Sequence, residues 1–167
     1  TDIIQDGMGL LWFATQDGLM RFDGNNFKTY RGGKTKGQLP HSVVSSLAVD
    51  KQKNLWVGTK GGLCVYHPES DTFERVDSLF GKTLQGHRWV RDIYVVSKGR
   101  LWVDRHHGTL NCIDFDAKTV ETLQHEYVYN DIYYLHAITE FGDGVMLGGG
   151  SAHLTWLTRN PDKWNTY

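Results

Sequence analysis

A Leu-Trp pair opens the same phrase three times in this chain, at nearly constant spacing. The phrase reads LWFATQDGLMRFD from Leu11, LWVGTKGGLCVYH from Leu55 and LWVDRHHGTLNCID from Leu101. Trp56 follows Trp12 by 44 residues and Trp102 follows Trp56 by 46. A fourth copy falls at Met146-Leu147-Gly148-Gly149-Gly150, with Leu147 expected in the place of the tryptophan. Repetition at this period means stacked supersecondary units, each too small to bury its own apolar face.

The unit is built of strands. In the second copy the runs are Ser42–Val49, Leu55–Thr59, Leu63–Tyr66 and Thr72–Val76, with polar or glycine-rich turns between them. Short β-branched and aromatic runs bounded by Gly, Pro, Asn and Asp read as strands, and no segment holds a helical apolar spacing over the length a helix needs. Four antiparallel strands per period of about 45 describe one blade of a β-propeller. The expected fold class is therefore all-β, with four four-stranded blades at about 1–33, 34–79, 80–123 and 124–167, forming part of a larger ring. The near-continuous apolar character of LWVGT fits a strand covered on both faces. The glycine permits close approach, and the indole fills the space between blades.

These residues resemble the two-component-regulator propeller repeat. The first unit carries the pattern through Asp6, Gly9, Leu11, Trp12, Thr15, Gly18, Leu19, Phe22, Asp23, Gly24, Phe27 and Tyr30. The second keeps Asp50, Asn54, Leu55, Trp56, Gly58, Thr59, Gly62, Leu63 and Tyr66, with Lys53 at the turn glycine. The third has Asp104-Arg105 where Gly-Thr is usual, and the fourth is the most eroded. The resemblance implies the periplasmic sensor region of a Bacteroides-type hybrid two-component protein anchored in the inner membrane. It also implies a ring of seven blades, a saccharide ligand, a homodimeric parent and a histidine kinase outside this chain. No phosphoryl-transfer residue is present.

Composition narrows the function further. With 18 basic and 19 acidic side chains interspersed, the chain has no basic stripe for nucleic acid. No apolar run approaches the roughly 18 residues of a spanning helix, and no signal-peptide pattern is present. The start inside a first strand, and a blade count below a full ring, suggest a fragment. Its two end faces then need the remaining blades or another copy of the chain. Cys64 and Cys112 sit in third strands with opposed side-chain directions and are expected to be free thiols.

Eight histidines, among them the adjacent His106 and His107, lack the spacing of a metal set, so no metal or other cofactor is expected. No nucleophile motif, phosphate loop or interpretable carboxylate pair occurs, and Asp17, Asp104 and Asp131 do not compose an acid/base site. The turn from Asp6 to Trp12 is similar to the Asp-box turn of sialidase propellers, where it is structural, and Asp23-Gly24 is read as a hairpin turn. The segment is therefore read as binding rather than catalytic. A glycan-cleaving or lyase-type propeller and a protein-interaction scaffold are the alternatives.

In a propeller one mouth is ringed by the loops entering each first strand and by the turns between second and third strands. Here those loops are about 32–41, 81–89 and 124–133, with turns at Gln16-Asp17, Lys60-Gly61, Arg105-His106-His107 and Ser151-Ala152-His153. Sugars want flat aromatic faces and hydrogen-bonding side chains. The expected ligand face is Arg88, Trp89, Arg105, His107, Tyr129 and Asn130.

Overall fold

The first two repeats begin by folding the chain over an aspartate. In the first, Asp6 Oδ1 accepts the N–H groups of Met8 (2.9 Å) and Leu10 (3.0 Å), while Oδ2 accepts the Trp12 indole N–H at 2.8 Å. In the second, Asp50 accepts the Asn54 N–H, the Asn54 side-chain amide and the Trp56 indole, each at 2.9 Å. The turns also demand a left-handed residue, supplied by Gly9 (φ 87°) and, in place of glycine, by Lys53 (φ 69°). A lysine there costs about 1 kcal/mol of backbone strain.

The structure, a computed structural model, describes residues 2–76, 86–96, 99–124, 135–142, 144–149, 154–160 and 163–166. Blade one holds β1 (Ile3–Gln5), β2 (Leu11–Thr15), β3 (Gly18–Phe22) and β4 (Phe27–Tyr30). Blade two holds β5 (Val44–Val49), β6 (Leu55–Thr59), β7 (Gly62–His67) and β8 (Thr72–Arg75). Blade three holds β9 (Val90–Val95), β10 (Arg100–Arg105), β11 (Thr109–Asp114) and β12 (Thr119–Gln124). Blade four holds β13 (Leu135–Phe141), β14 (Gly144–Gly149), β15 (Leu154–Asn160) and β16 (Lys163–Thr166). Each is a separate four-stranded antiparallel meander with its strands in chain order.

The core lies between the sheets. Trp12 packs with Leu55, Val57, Cys64 and Tyr66 in the layer joining blades one and two. Trp56 packs with Leu101, Val103 and Ile113 between blades two and three, its ring stacked on Phe115 at 4.7 Å. Trp102 packs with Val145, Leu147 and Leu157 between blades three and four. Each tryptophan thus faces the following blade, and each buried indole is worth several kcal/mol. All five residues of β6 are buried, as expected of a strand covered on both sides. A Cβ on Gly58 would lie 2.6 Å from Val90 Cγ1, so glycine is what lets the second and third sheets meet.

Blade four corrects the expected register by one residue. Val145 and Leu147 face back toward blade three with Trp102, so Met146 occupies the place of the tryptophan rather than Leu147. A one-residue slip along a strand reverses every side chain. The indole has moved one strand over, because Met146 pairs directly with Trp156 of β15. Cys64 and Cys112 are buried free thiols in different layers. The outward face of blade one exposes Ile3 and Phe27, the latter stacked on Phe22.

The blades are also tied by polar contacts. Near the rim Asp71 accepts the hydroxyls of Tyr30 and Tyr66, both at 2.6 Å, and pairs with Lys28 and Arg21. Along the innermost strands, Asp2 accepts the Leu47 N–H at 2.9 Å and Ser46 Oγ accepts the Ile93 N–H at 3.1 Å. Ser46 in turn donates to Asp92 at 2.6 Å.

Replacing Asp50 by alanine removes the acceptor for two turn donors and a buried indole. It should cost about 2 kcal/mol in urea unfolding, with Asp50→Asn costing less. A loss within experimental error would mean the turn holds itself.

Candidate functional site

The loop entering each inner strand lies on the turn between that blade's second and third strands. In blade two the Lys60 N–H donates to the Val43 carbonyl at 3.0 Å, and in blade three the His106 N–H donates to the Trp89 carbonyl at 2.9 Å. A histidine braces both loops, since the Val43 N–H donates to His41 Nδ1 (2.9 Å) and the Trp89 N–H to His87 Nδ1 (3.2 Å). The two scaffolds match residue for residue: His41-Ser42-Val43 against His87-Arg88-Trp89.

Blade three elaborates this scaffold. Its turn is one residue longer, because Thr59 pairs with Gly62 across two residues whereas Arg105 pairs with Thr109 across His106-His107-Gly108. His107 takes the left-handed conformation at φ 68° and is exposed. The loop is pressed against the turn through Gly86 (φ 111°), where a Cβ would meet Thr109 Cγ2 at 2.7 Å.

The side chains converge. Trp89 is half-buried and stacks on His106, centroids 4.8 Å apart and planes 7° off parallel. The Lys60 ammonium of blade two lies 5.0 Å from the Trp89 ring, a cation–π contact. The His106 ring sits 4.4 Å from that of His107 and 5.4 Å from that of His87. Arg88 is exposed beside them. Burial, and then the neighbouring His107, His87, Arg91 and Lys60, hold His106 below the usual imidazole range, so it is neutral near pH 7.

Beneath this surface the strands carry buried polar groups. Arg105 is 2% exposed. It donates to Asn111 Oδ1 at 2.5 Å and to the His87 carbonyl at 3.2 Å, and Asn111 donates to Thr122 Oγ1 at 3.0 Å. Arg105 therefore braces the loop from inside rather than standing on the ligand face as expected. A 3.8 Å ion pair joins the neighbouring Asp104 to Arg91. Burial pushes the Asp104 carboxyl up to about 7, with Arg91 opposing the rise and Asp92 adding to it.

Of the six residues expected at the ligand face, Trp89 and His107 both meet the His106 ring, Arg88 is exposed on the entering loop, and Arg105 braces that loop. Tyr129 and Asn130 lie outside the described residues. His106, Lys60 and His87 were not singled out. The 46-residue step from His41 to His87 equals that between Trp56 and Trp102 and was the available signal. Among the described residues no group of three His, Cys, Asp or Glu side chains is placed to hold a metal ion. Among the described residues Asp17 and Asp104 do not converge, since Asp17 pairs with Arg31 on an exposed turn while Asp104 is buried, and Asp131 lies outside the described residues.

Residues 38–61 match the family model of the two component regulator propeller. The second blade carries a two-component-regulator propeller repeat. No curated protein sequence matches the chain. Among solved structures, the extracellular domain described as that of a hybrid two component system from B. thetaiotaomicron superposes with a TM-score of 0.76 at 22% identity. That match covers 99% of this chain and 24% of the other. A virginiamycin B lyase from Staphylococcus aureus, solved with quinupristin, gives 0.68 at 11% identity over 99% of this chain and 54% of its own. The RRP9 WD40 repeats give 0.64 at 12% identity, over 99% and 49%. These likenesses establish propeller architecture, and the chain spans about a quarter to a half of those chains.

The Asp104 carboxyl is raised above its unfolded value near 3.9, so the native state binds the extra proton between about pH 4 and 7. Its contribution to stability is therefore greatest below that window and falls as pH rises through it. Asp104→Asn should unfold near the wild-type temperature at pH 4.5 and above it at pH 8. The reverse order in thermal melts would show that burial does not dominate at this carboxyl.

Proposed function

We propose that these blades are the ligand-reading part of an extracytoplasmic sensor in a hybrid two-component protein. The ligand is a saccharide, and the signal passes to a kinase outside this chain. In this reading the segment binds without catalysis, the parent is a membrane-anchored homodimer, and the remaining blades complete the ring. The repeat in residues 38–61 and the likeness to the B. thetaiotaomicron extracellular domain support the setting.

One observation carries the choice of site. Blade two shows that Ser42, Val43, Lys60 and Gly61 suffice for the loop-and-turn scaffold, with the same backbone and histidine hydrogen bonds. At those places blade three carries Arg88, Trp89, His106 and His107. The scaffold does not require these larger side chains. They gather aromatic surface and hydrogen-bond donors at one mouth, which is what a sugar's C–H faces and hydroxyls need. Carboxylates to serve as a catalytic acid and base are not gathered with them among the described residues.

The test replaces Arg88 and Trp89 with blade two's residues, Arg88→Ser with Trp89→Val, a change the scaffold already accepts. Calorimetry against a panel of glycan-derived oligosaccharides should show affinity falling at least about ten-fold, equivalent to about 1.4 kcal/mol. A folded double variant that binds as tightly as wild type removes this loop from the ligand face.

A further inference from the structure

We propose that the ligand at this mouth is an anionic saccharide, its carboxylate or sulfate seated over the His106-His107 turn between Lys60 and Arg88. The inference rests on the saccharide-sensing reading and specifies the chemical class.

The sign of the charges around the turn supports this. Lys60 reaches it from the β6–β7 turn, His87 and Arg88 come from the entering loop, and His107 comes from the turn itself. Arg91 of β9 and Arg105 of β10 lie behind. The charged neighbours that most depress His106, after its burial, are His107, His87, Arg91 and Lys60. The carboxyl next in sequence, Asp104, alternates to the other side of β10 and is paired with Arg91. Among the described residues the mouth therefore presents imidazole, ammonium and guanidinium groups with no acidic group between them. Blade two's equivalents of Arg88, Trp89 and His107, namely Ser42, Val43 and Gly61, contribute no charge, while Lys60 stands at the place of His106. The positive charge is thus gathered on blade three and its neighbour Lys60, and an exposed cationic mouth attracts an anion.

Proton linkage follows from the same geometry. Burial first, and then its cationic neighbours, hold His106 below the usual imidazole range while the site is empty. An anion placed against the ring opposes the cationic part of that shift, so binding favours proton uptake on His106. Affinity for an acidic sugar then rises as pH falls through the imidazole range, whereas a neutral sugar lacks this dependence.

The experiment is calorimetric titration of the protein at pH 6 and pH 8 with four probes: a glucuronic-acid-containing disaccharide, an O-sulfated disaccharide, the neutral parent disaccharide and inorganic sulfate. At least one charged sugar should bind about ten-fold tighter than the neutral one and gain about ten-fold more from pH 8 to pH 6, at most one decade per unit for each proton taken up. His106→Gln should lower that gain, and Lys60→Gln should weaken binding at both pH values. Preference for the sulfated or the uronate probe identifies the source of the anion, and either supports the proposal. A neutral sugar that binds as tightly as the charged ones, with no pH dependence, overturns the anion proposal and leaves the sensor reading standing. Binding of inorganic sulfate without any sugar overturns the saccharide reading instead, and silence from all four probes overturns both.

Discussion

The hydrogen bond from each of the Trp12 and Trp56 indoles to the aspartate six residues before it joins two levels of this structure. The indole fills the layer between one sheet and the next, and burying that ring supplies much of the energy that holds the blades together. Its N–H must find an acceptor when buried, and Asp6 and Asp50 provide one while also closing the first hairpin of their blades. Turn and interface are therefore coupled in the first two blades. Where the aspartate is replaced by Val96, the hairpin keeps the backbone bonds from the Val96 N–H to the Arg100 carbonyl and from the Gly99 N–H to the Val96 carbonyl. In blade four the indole itself has moved to Trp156 beside Met146. The later blades keep the architecture while loosening its chemistry.

A second set of contacts ties the inner strands in sequence. In blades one and two one position, Asp2 and Ser46, accepts a backbone amide from the neighbouring inner strand, and Asp92 in blade three accepts the Ser46 hydroxyl. Asp2 accepts from Leu47, and Ser46 accepts from Ile93. An antiparallel blade leaves the side chains of its inner strand facing the ring axis and the adjacent blade. A short acceptor there satisfies a backbone donor that the sheet's own ladder does not. The contact is local to each pair of neighbours, which is how stacked repeats accumulate stability.

Repeat spacing made the architecture legible, because the Leu-Trp phrase marks both the strand and its buried face. The fourth copy was placed one residue off. Leu147-Gly148-Gly149 offers no aromatic marker, and Val145, Met146 and Leu147 are equally apolar, so only packing against Trp102 separates inward from outward. The inner-strand acceptors were not legible, since Asp2 and Ser46 share a role without sharing a chemistry. Arg88, Trp89 and His107 were expected at the ligand face from loop position and residue type, and the structure leaves Arg88 and His107 exposed. Arg105 was expected beside them, but alternation along β10 turns it into the blade, where Asn111 and the His87 carbonyl receive it. The histidines were weighed as metal ligands, and that comparison hid the equivalence of His41 and His87.

The position of the mouth constrains how a bound ligand acts. Lys60 belongs to blade two, whereas Trp89, His106 and His107 belong to blade three, so the site spans a blade boundary. Below it the boundary is tightly closed: Gly58 admits Val90 with no room for a methyl group, and Ser45 Oγ donates to the Val90 carbonyl at 2.5 Å. Packing this close does not slide in small increments. A ligand that bound equally well to two arrangements would shift neither, and a ten-fold shift requires about 1.4 kcal/mol of differential affinity. Since blades two and three are held as one body below the site, that difference cannot come from shear between them. It has to arise where the rigid pair meets something else, whether the next blades of the ring or a second copy of the chain. Under the proposed sensor role, a ligand that spans the mouth and touches such a neighbour would transmit a signal, whereas one confined to the Lys60–Trp89–His106 stack would only occupy the site.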